Sequence, residues 1–125
     1  MKHEPVTQRV IGCIIKVHRT LGPGFKESVY RNALLIELQA EGLDVETEKE
    51  VVVRYEGKEV GRHRLDIVVD GKVILELKAV ADLTAAHYEQ LRSYLRASGL
   101  EVGLLVNFGR ERSDVRRIDH PARSP

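Results

Sequence analysis

A chain of 125 residues with 42% hydrophobic and 31% charged residues has apolar material for one ordinary core, and is too short to stabilise two. That balance excludes a wholly disordered chain, and a formal charge of +1 excludes the global basic excess of a histone-like coat while leaving room for a local phosphate-binding cleft. The single cysteine, Cys13, makes neither an internal disulfide nor a Cys-based zinc site, no apolar stretch nears the ~20 residues of a membrane span, and MKHEPVTQRV does not read as a signal peptide. The expectation is a cytoplasmic protein with no membrane partner, one domain over residues 1–125 with its core at about 6–109. The first element is an amphipathic helix from Val6 to about Leu21, with apolar residues at Val6, Val10, Cys13/Ile14, Val17 and Leu21. Gly22-Pro23-Gly24 breaks it, and a second helix runs from about Glu27 to Ala40, stopping near Gly42. The period then changes to two. Residues 45–55 form a strand, Glu56-Gly57-Lys58 a turn, and 59–69 and 73–78 two more strands about Asp70-Gly71. A helix follows from Asp82 to Ala97, with Asp82 or Thr84 as N-cap and Gly99 as its stop. Residues 101–107 suit a buried strand, and 110–125 hold an edge strand around Val115–Ile118 or a tail.

The order ααβββαβ predicts an α+β mixed sheet. Three strands joined by short turns are antiparallel, and the last, reached through a helix, lies parallel to its neighbour. A charge in the middle of such a sheet needs a reason. Asp66 stands between Leu65 and Ile67, and Glu76 and Lys78 stand among Ile74, Leu75, Leu77 and Ala79. Glu76 and Lys78 are two apart and share a face. Two carboxylates and one ammonium are what phosphodiester cleavage at a divalent metal requires: hard oxygen ligands for Mg²⁺ or Mn²⁺, and a cation to orient water and offset charge on phosphorus.

The geometry makes a demand. A two-residue loop at Asp70-Gly71 pairs Asp66 with Leu75 and sends the two acids to opposite faces. One extra residue, in a three-residue loop Asp70-Gly71-Lys72 or a bulge, sets Asp66 across from Glu76. It also sorts Leu65, Ile67, Val69, Val73, Leu75 and Leu77 to the other face. The cleaner hydrophobic sorting selects this register.

Asp66, Glu76 and Lys78 resemble the D-x(n)-ExK signature of the PD-(D/E)XK nuclease superfamily, and Gly24-Phe25-Lys26-Glu27-Ser28-Val29-Tyr30 is similar to the motif that names its GxxExxY family. The resemblance extends through TLGPGFKESVY, RLDIVVDGKVILELKAV, QLRSYL and GLLVNFG, roughly residues 6–120. It implies a restriction-endonuclease-like αβββαβ core with one extra N-terminal helix. It implies Asp66 and Glu76 as metal ligands with the Leu77 carbonyl, Lys78 as the catalytic lysine, and Glu27 near the metal, directly or through water. Gln90 and Tyr94 resemble the QxxxY feature that contacts substrate, and Tyr30 lies near Glu27 on its helix. The implied activity is Mg²⁺- or Mn²⁺-dependent hydrolysis of DNA or RNA, in a homodimer or larger complex. The alternative is a catalytically silent nuclease-fold module that binds nucleic acid or a protein partner.

Other residues have plainer readings. Asp66, Glu76 and Lys78 could form a solvated salt-bridge ladder, Glu27 could answer the helix dipole, and Gln90 and Tyr94 could be surface and half-buried side chains. His63, at odd spacing from Asp66, falls on the opposite face of a regular strand and is not expected to bind metal. His18 and His87 read as helix-surface or boundary residues, and Cys13 as core. Lys26, Arg31, Arg62, Arg64, Arg92, Arg96, Arg110, Arg112, Arg116 and Arg117 are candidates for a nucleic-acid groove or for a mixed-sign solvated surface.

Overall fold

The computed structural model describes residues 1–120. Helices α1 (Glu4–Leu21), α2 (Glu27–Ala40) and α3 (Ala85–Ser98) flank strands β1 (Val45–Tyr55), β2 (Lys58–Val69), β3 (Val73–Lys78), β4 (Val102–Asn107) and β5 (Asp114–Asp119). The sheet order is β1-β2-β3-β4-β5, antiparallel except for the β3/β4 pair that α3 connects. This is the mixed α+β architecture expected from the sequence. Helix α1 starts two residues earlier than its apolar stripe because Pro5 suits a first turn, where its missing N–H costs nothing. Thr84, not Asp82, caps α3, and His87 Nδ1 accepts the Thr84 N–H at 3.0 Å. No helix among the described residues is long and apolar enough to cross a membrane.

The sheet has a core on each face. Val10, Ile14 and Val17 of α1 and Tyr30, Leu34 and Leu38 of α2 pack on Ile67, Val69, Leu75, Leu77, Leu104 and Val106. Leu91, Tyr94 and Leu95 of α3 pack on Leu65, Val68, Ile74, Leu105 and Ile118. Burial of this kind on both faces is why β3 and β4 read as continuous apolar runs. His18, read as a surface or boundary residue, is buried instead. Its Nε2 lies 2.6 Å from the Arg110 carbonyl and its ring stacks near Phe108. Cys13 is core, and burial, with Glu41 and Glu37 behind it, holds its thiol up.

The β2/β3 loop sets the register of the site. Val69 pairs with Val73 and Ile67 with Leu75, so Asp70, Gly71 and Lys72 form a three-residue loop. Asp70 and Gly71 both take positive φ, 52° and 62°, and the Lys72 N–H donates to the Val69 carbonyl at 2.9 Å. Two further bonds tie the loop to the start of β1: the Asp44 N–H donates to Asp70 Oδ1, and the Asp70 N–H to the Asp44 carbonyl. The register is the one that hydrophobic sorting selects.

One part of that sorting is wrong. Leu65 does not share a face with Ile67 and Val69 but packs with the α3 residues. The alternation slips at Asp66, where pairing with β1 is interrupted opposite Glu48, whose φ is 50°. The regular pleat of β2 is therefore broken at Asp66.

Candidate active site

Backbone pairing between β2 and β3 is confined to Ile67–Val69 and Val73–Leu75. Beyond it, two carboxylates take over the ladder. The Asp66 N–H donates to Glu76 Oε1 at 3.3 Å, and the Leu77 N–H donates to Asp66 Oδ2 at 2.9 Å. The N–H and C=O of a strand residue leave the backbone on the same side, so the Leu77 carbonyl also looks toward β2 and Asp66. Asp66, Glu76 and the Leu77 carbonyl thus border one gap where two strands part.

Glu76 is 5% exposed. Burial first, and the Asp66 carboxylate second, push its pKa up to about 8. Glu27 opens α2 and is also held up, by burial and then by Asp66, while Lys78 and Arg31 pull it down. Glu27, Asp66, Glu76 and Lys78 thus feel one another's charge. Lys78 Nζ donates to Gln90 Oε1 on α3 at 3.2 Å. Tyr94, one turn further along α3, is nearly buried, and burial, then Glu76 and Asp66, hold its hydroxyl in the protonated form. His63 lies against the Tyr94 ring at 4.7 Å between centroids, on the α3 side of the sheet.

Tyr30 is not where a substrate contact would be. It is fully buried, stacked on Phe108 at 4.5 Å and nearly parallel to it. Its hydroxyl donates to the Gly22 carbonyl and accepts the Phe25 N–H at 3.2 Å. The expected contact with substrate is therefore corrected: seven residues of helix and loop turn this side chain inward, and it pins the Gly22-Pro23-Gly24 corner from which Glu27 starts.

Two residues of consequence were not read as site residues. Arg31, named only as a groove candidate, lies one turn after Glu27 with a guanidinium nitrogen 3.9 Å from Asp66 Oδ1. The i, i+4 spacing from Glu27 is the signal that marks it. Asn107 is fully buried at the end of β4. Its Oδ1 accepts the Val80 and Gly109 N–H groups, each at 3.0 Å, and its Nδ2 donates to the Val80 carbonyl at 2.9 Å. With the Phe108 N–H on the Lys78 carbonyl at 2.8 Å, this clasp fixes the chain that leaves Lys78. A lone amide in the apolar run GLLVNF is the signal, since a buried amide must find partners.

Most of the other basic candidates are committed to local acids. Arg62 is bound by Glu59 and Glu50, Arg92 by Glu89, Arg110 by Asp82, Arg116 by Asp114 and Arg117 by Asp119. For these the mixed-sign surface is the better description.

Among the described residues, no three His, Cys, Asp or Glu side chains close into a metal cage by themselves. A hard cation such as Mg²⁺ does not require one, because it keeps several waters and takes one or two carboxylates plus phosphate oxygens. Asp66, Glu76 and the Leu77 carbonyl fit that donor set. Burial first, and Asp66 second, make Glu76 costly to ionise, a cost that a cation held there would offset.

A family model described as the PD-(D/E)XK nuclease superfamily matches residues 4–118. No curated protein matches. Among solved structures, the crystal structure of SSO0001 is similar, with a TM-score of 0.60 and 25% identity over 75% of this chain and 50% of that one. The chain thus spans about half the length of that neighbour. With a mixed sheet, acids facing each other across β2 and β3, and a match over nearly its whole length, the chain belongs to the PD-(D/E)XK nuclease superfamily.

Proposed function

We propose that the chain is a metal-dependent nuclease that hydrolyses phosphodiester bonds in DNA or RNA. Mg²⁺ or Mn²⁺ would be held by Asp66, Glu76 and the Leu77 carbonyl, with Glu27 assisting directly or through water. The observation that carries this reading is the gap at Asp66 and Glu76, where two carboxylates replace backbone partners beside Lys78. A bound divalent ion supplies Lewis acidity toward the phosphate and lowers the pKa of its water.

The chain's own groups do the rest. Asp66 contributes the oxygen left over from its bond to the Leu77 N–H. Glu76 gives up its proton as positive charge arrives. Lys78, steadied by Gln90, orients the attacking water and offsets charge developing on phosphorus. Its role in this reading is to act by charge rather than as a base. Gln90 and the Tyr94 hydroxyl offer polar contacts to substrate from α3.

Plasmid and single-stranded DNA and RNA, incubated with Mg²⁺ or Mn²⁺, are the test. The wild-type chain is expected to cleave at least one, and Asp66→Ala and Lys78→Ala to lose about 10²-fold or more. Mn²⁺ alone should raise the wild-type Tm and leave that of Asp66→Ala unchanged. Cation-independent binding with no cleavage of any substrate would identify a catalytically silent module instead.

A further inference from the structure

Arg31 stands beside the candidate metal ligands without a settled partner. Its guanidinium is 3.9 Å from Asp66 Oδ1, beyond hydrogen-bond distance, and its Nε is shielded from solvent with no acceptor among the described residues. Two arginines elsewhere in the chain close their forks. Arg62 grips Glu59 with two nitrogens at 2.9 and 3.1 Å, and Arg117 grips Asp119 at 2.9 to 3.2 Å. A planar fork of five N–H donors matches a carboxylate or a phosphate in a bidentate way, and Arg31 has made no such match.

Asp66 explains why. One of its oxygens is committed to the Leu77 N–H, and Oδ1, the other, is the oxygen that Arg31 approaches. That same oxygen is the one Asp66 has to offer a cation. Arg31 and a divalent ion therefore compete for Asp66 Oδ1. With every carboxylate ionised, Glu27, Asp66 and Glu76 outweigh Lys78 and Arg31 by one negative charge. A divalent ion reverses this to one positive charge, which a single phosphodiester neutralises. The released fork would then stand next to the ion, with an unsatisfied Nε, opposite an incoming anion.

We propose that Arg31 grips a phosphate of the nucleic-acid backbone, and that it is held in reserve against Asp66 until a divalent cation takes that carboxylate. This rests on the metal-dependent reading above. It adds that cation and substrate binding are coupled through one side chain, each favouring the other.

Mn²⁺ titration of the protein without nucleic acid, followed by fluorescence anisotropy of a labelled single-stranded oligonucleotide on the Lys78→Ala background with saturating Mn²⁺, tests the exchange. Arg31→Gln is expected to tighten Mn²⁺ binding about 3- to 10-fold, by removing a like charge, and to weaken oligonucleotide binding about 10-fold. Arg31→Lys keeps the charge without the fork. It should leave Mn²⁺ affinity near wild type yet still lose oligonucleotide affinity, and it decides the matter alone if the Gln variant does not fold. Unchanged or weaker Mn²⁺ binding by Arg31→Gln, or oligonucleotide affinity retained in both variants, overturns the exchange while leaving wild-type cleavage intact. Absence of Mn²⁺ uptake by the wild-type chain overturns the metal-dependent reading itself, and shows before any variant is made.

Discussion

Glu76 carries an electrostatic load that is measurable without substrate. Its carboxyl rises from 4.5 to about 8 in the folded chain, so between those values the folded state holds a proton that the unfolded state has released. Stability is then full below pH 4.5 and falls as pH climbs through about 8. Glu27, shifted in the same direction, adds to the slope. Thermal melts without metal should show Tm decreasing from pH 5 to about 8, and saturating Mg²⁺ should flatten the curve. Glu76→Gln keeps an oxygen for the Asp66 N–H and removes the charge. It is expected to raise the metal-free Tm by roughly 5 °C at pH 8 and to abolish the Mg²⁺ response. A wild-type Tm that rises over this interval would contradict the assignment. The three signature residues were legible because charges amid apolar strand residues are conspicuous. The approach of Arg31 to Asp66 was not, because it depends on how α2 lies over β2.

At the scale of elements, two connections hold the site in place. The corner before α2 is fixed by the Tyr30 hydroxyl, which serves Gly22 and Phe25 at once. Tyr30→Phe leaves those groups without it and should cost about 1–3 kcal/mol in denaturant unfolding. Because the ring is buried, oligonucleotide affinity measured on the folded variant should not change. The turn after β4 is closed against the chain that leaves β3. A Cβ on Gly109 would lie 2.2 Å from the Val80 carbonyl oxygen and 2.5 Å from its nitrogen, both backbone atoms with no freedom to yield. Gly109→Ala is therefore expected to cost about 3 kcal/mol or more, read as a lower denaturant midpoint, and to reduce cleavage by displacing Lys78. A near-neutral Gly109→Ala would show that the Asn107 clasp does not bear on the lysine. Periodicity alone located these helices and strands to within three residues, the start of α3 being the furthest off. It did not show that Tyr30 faces inward or that His18 is core, since both meet residues near Phe108 and Arg110, far along the chain.

Over the whole molecule, charge is balanced locally as well as in total. The formal charge is +1, and Arg62, Arg92, Arg110, Arg116 and Arg117 are each satisfied by a nearby acid. Of the ten groove candidates, Lys26, Arg64, Arg96 and Arg112 have no ion pair among the described residues. They stand on four separate segments, so one strand of nucleic acid meets few of them at once. The logarithm of the binding constant is expected to fall only gently with the logarithm of salt concentration, with a slope no steeper than about −2 to −3, the signature of two or three phosphates. Anisotropy titrations from low to physiological salt measure it. A slope near −6 would mean that the intramolecular pairs open on binding and that a true basic groove forms.

The amino-acid order by itself determined the types and sequence of elements, the mixed sheet, and the opposition of Asp66 to Glu76. Each of these follows from local periodicity, turn chemistry and the requirement that one face of a hairpin be apolar. Tertiary structure alone decided the slip at Asp66 that sends Leu65 to the α3 side, the inward turn of Tyr30, the Asn107 clasp and the half-made contact of Arg31. These depend on contacts between groups from 8 to 35 positions apart in the chain. Packing sets them where no repeating pattern along the backbone records them.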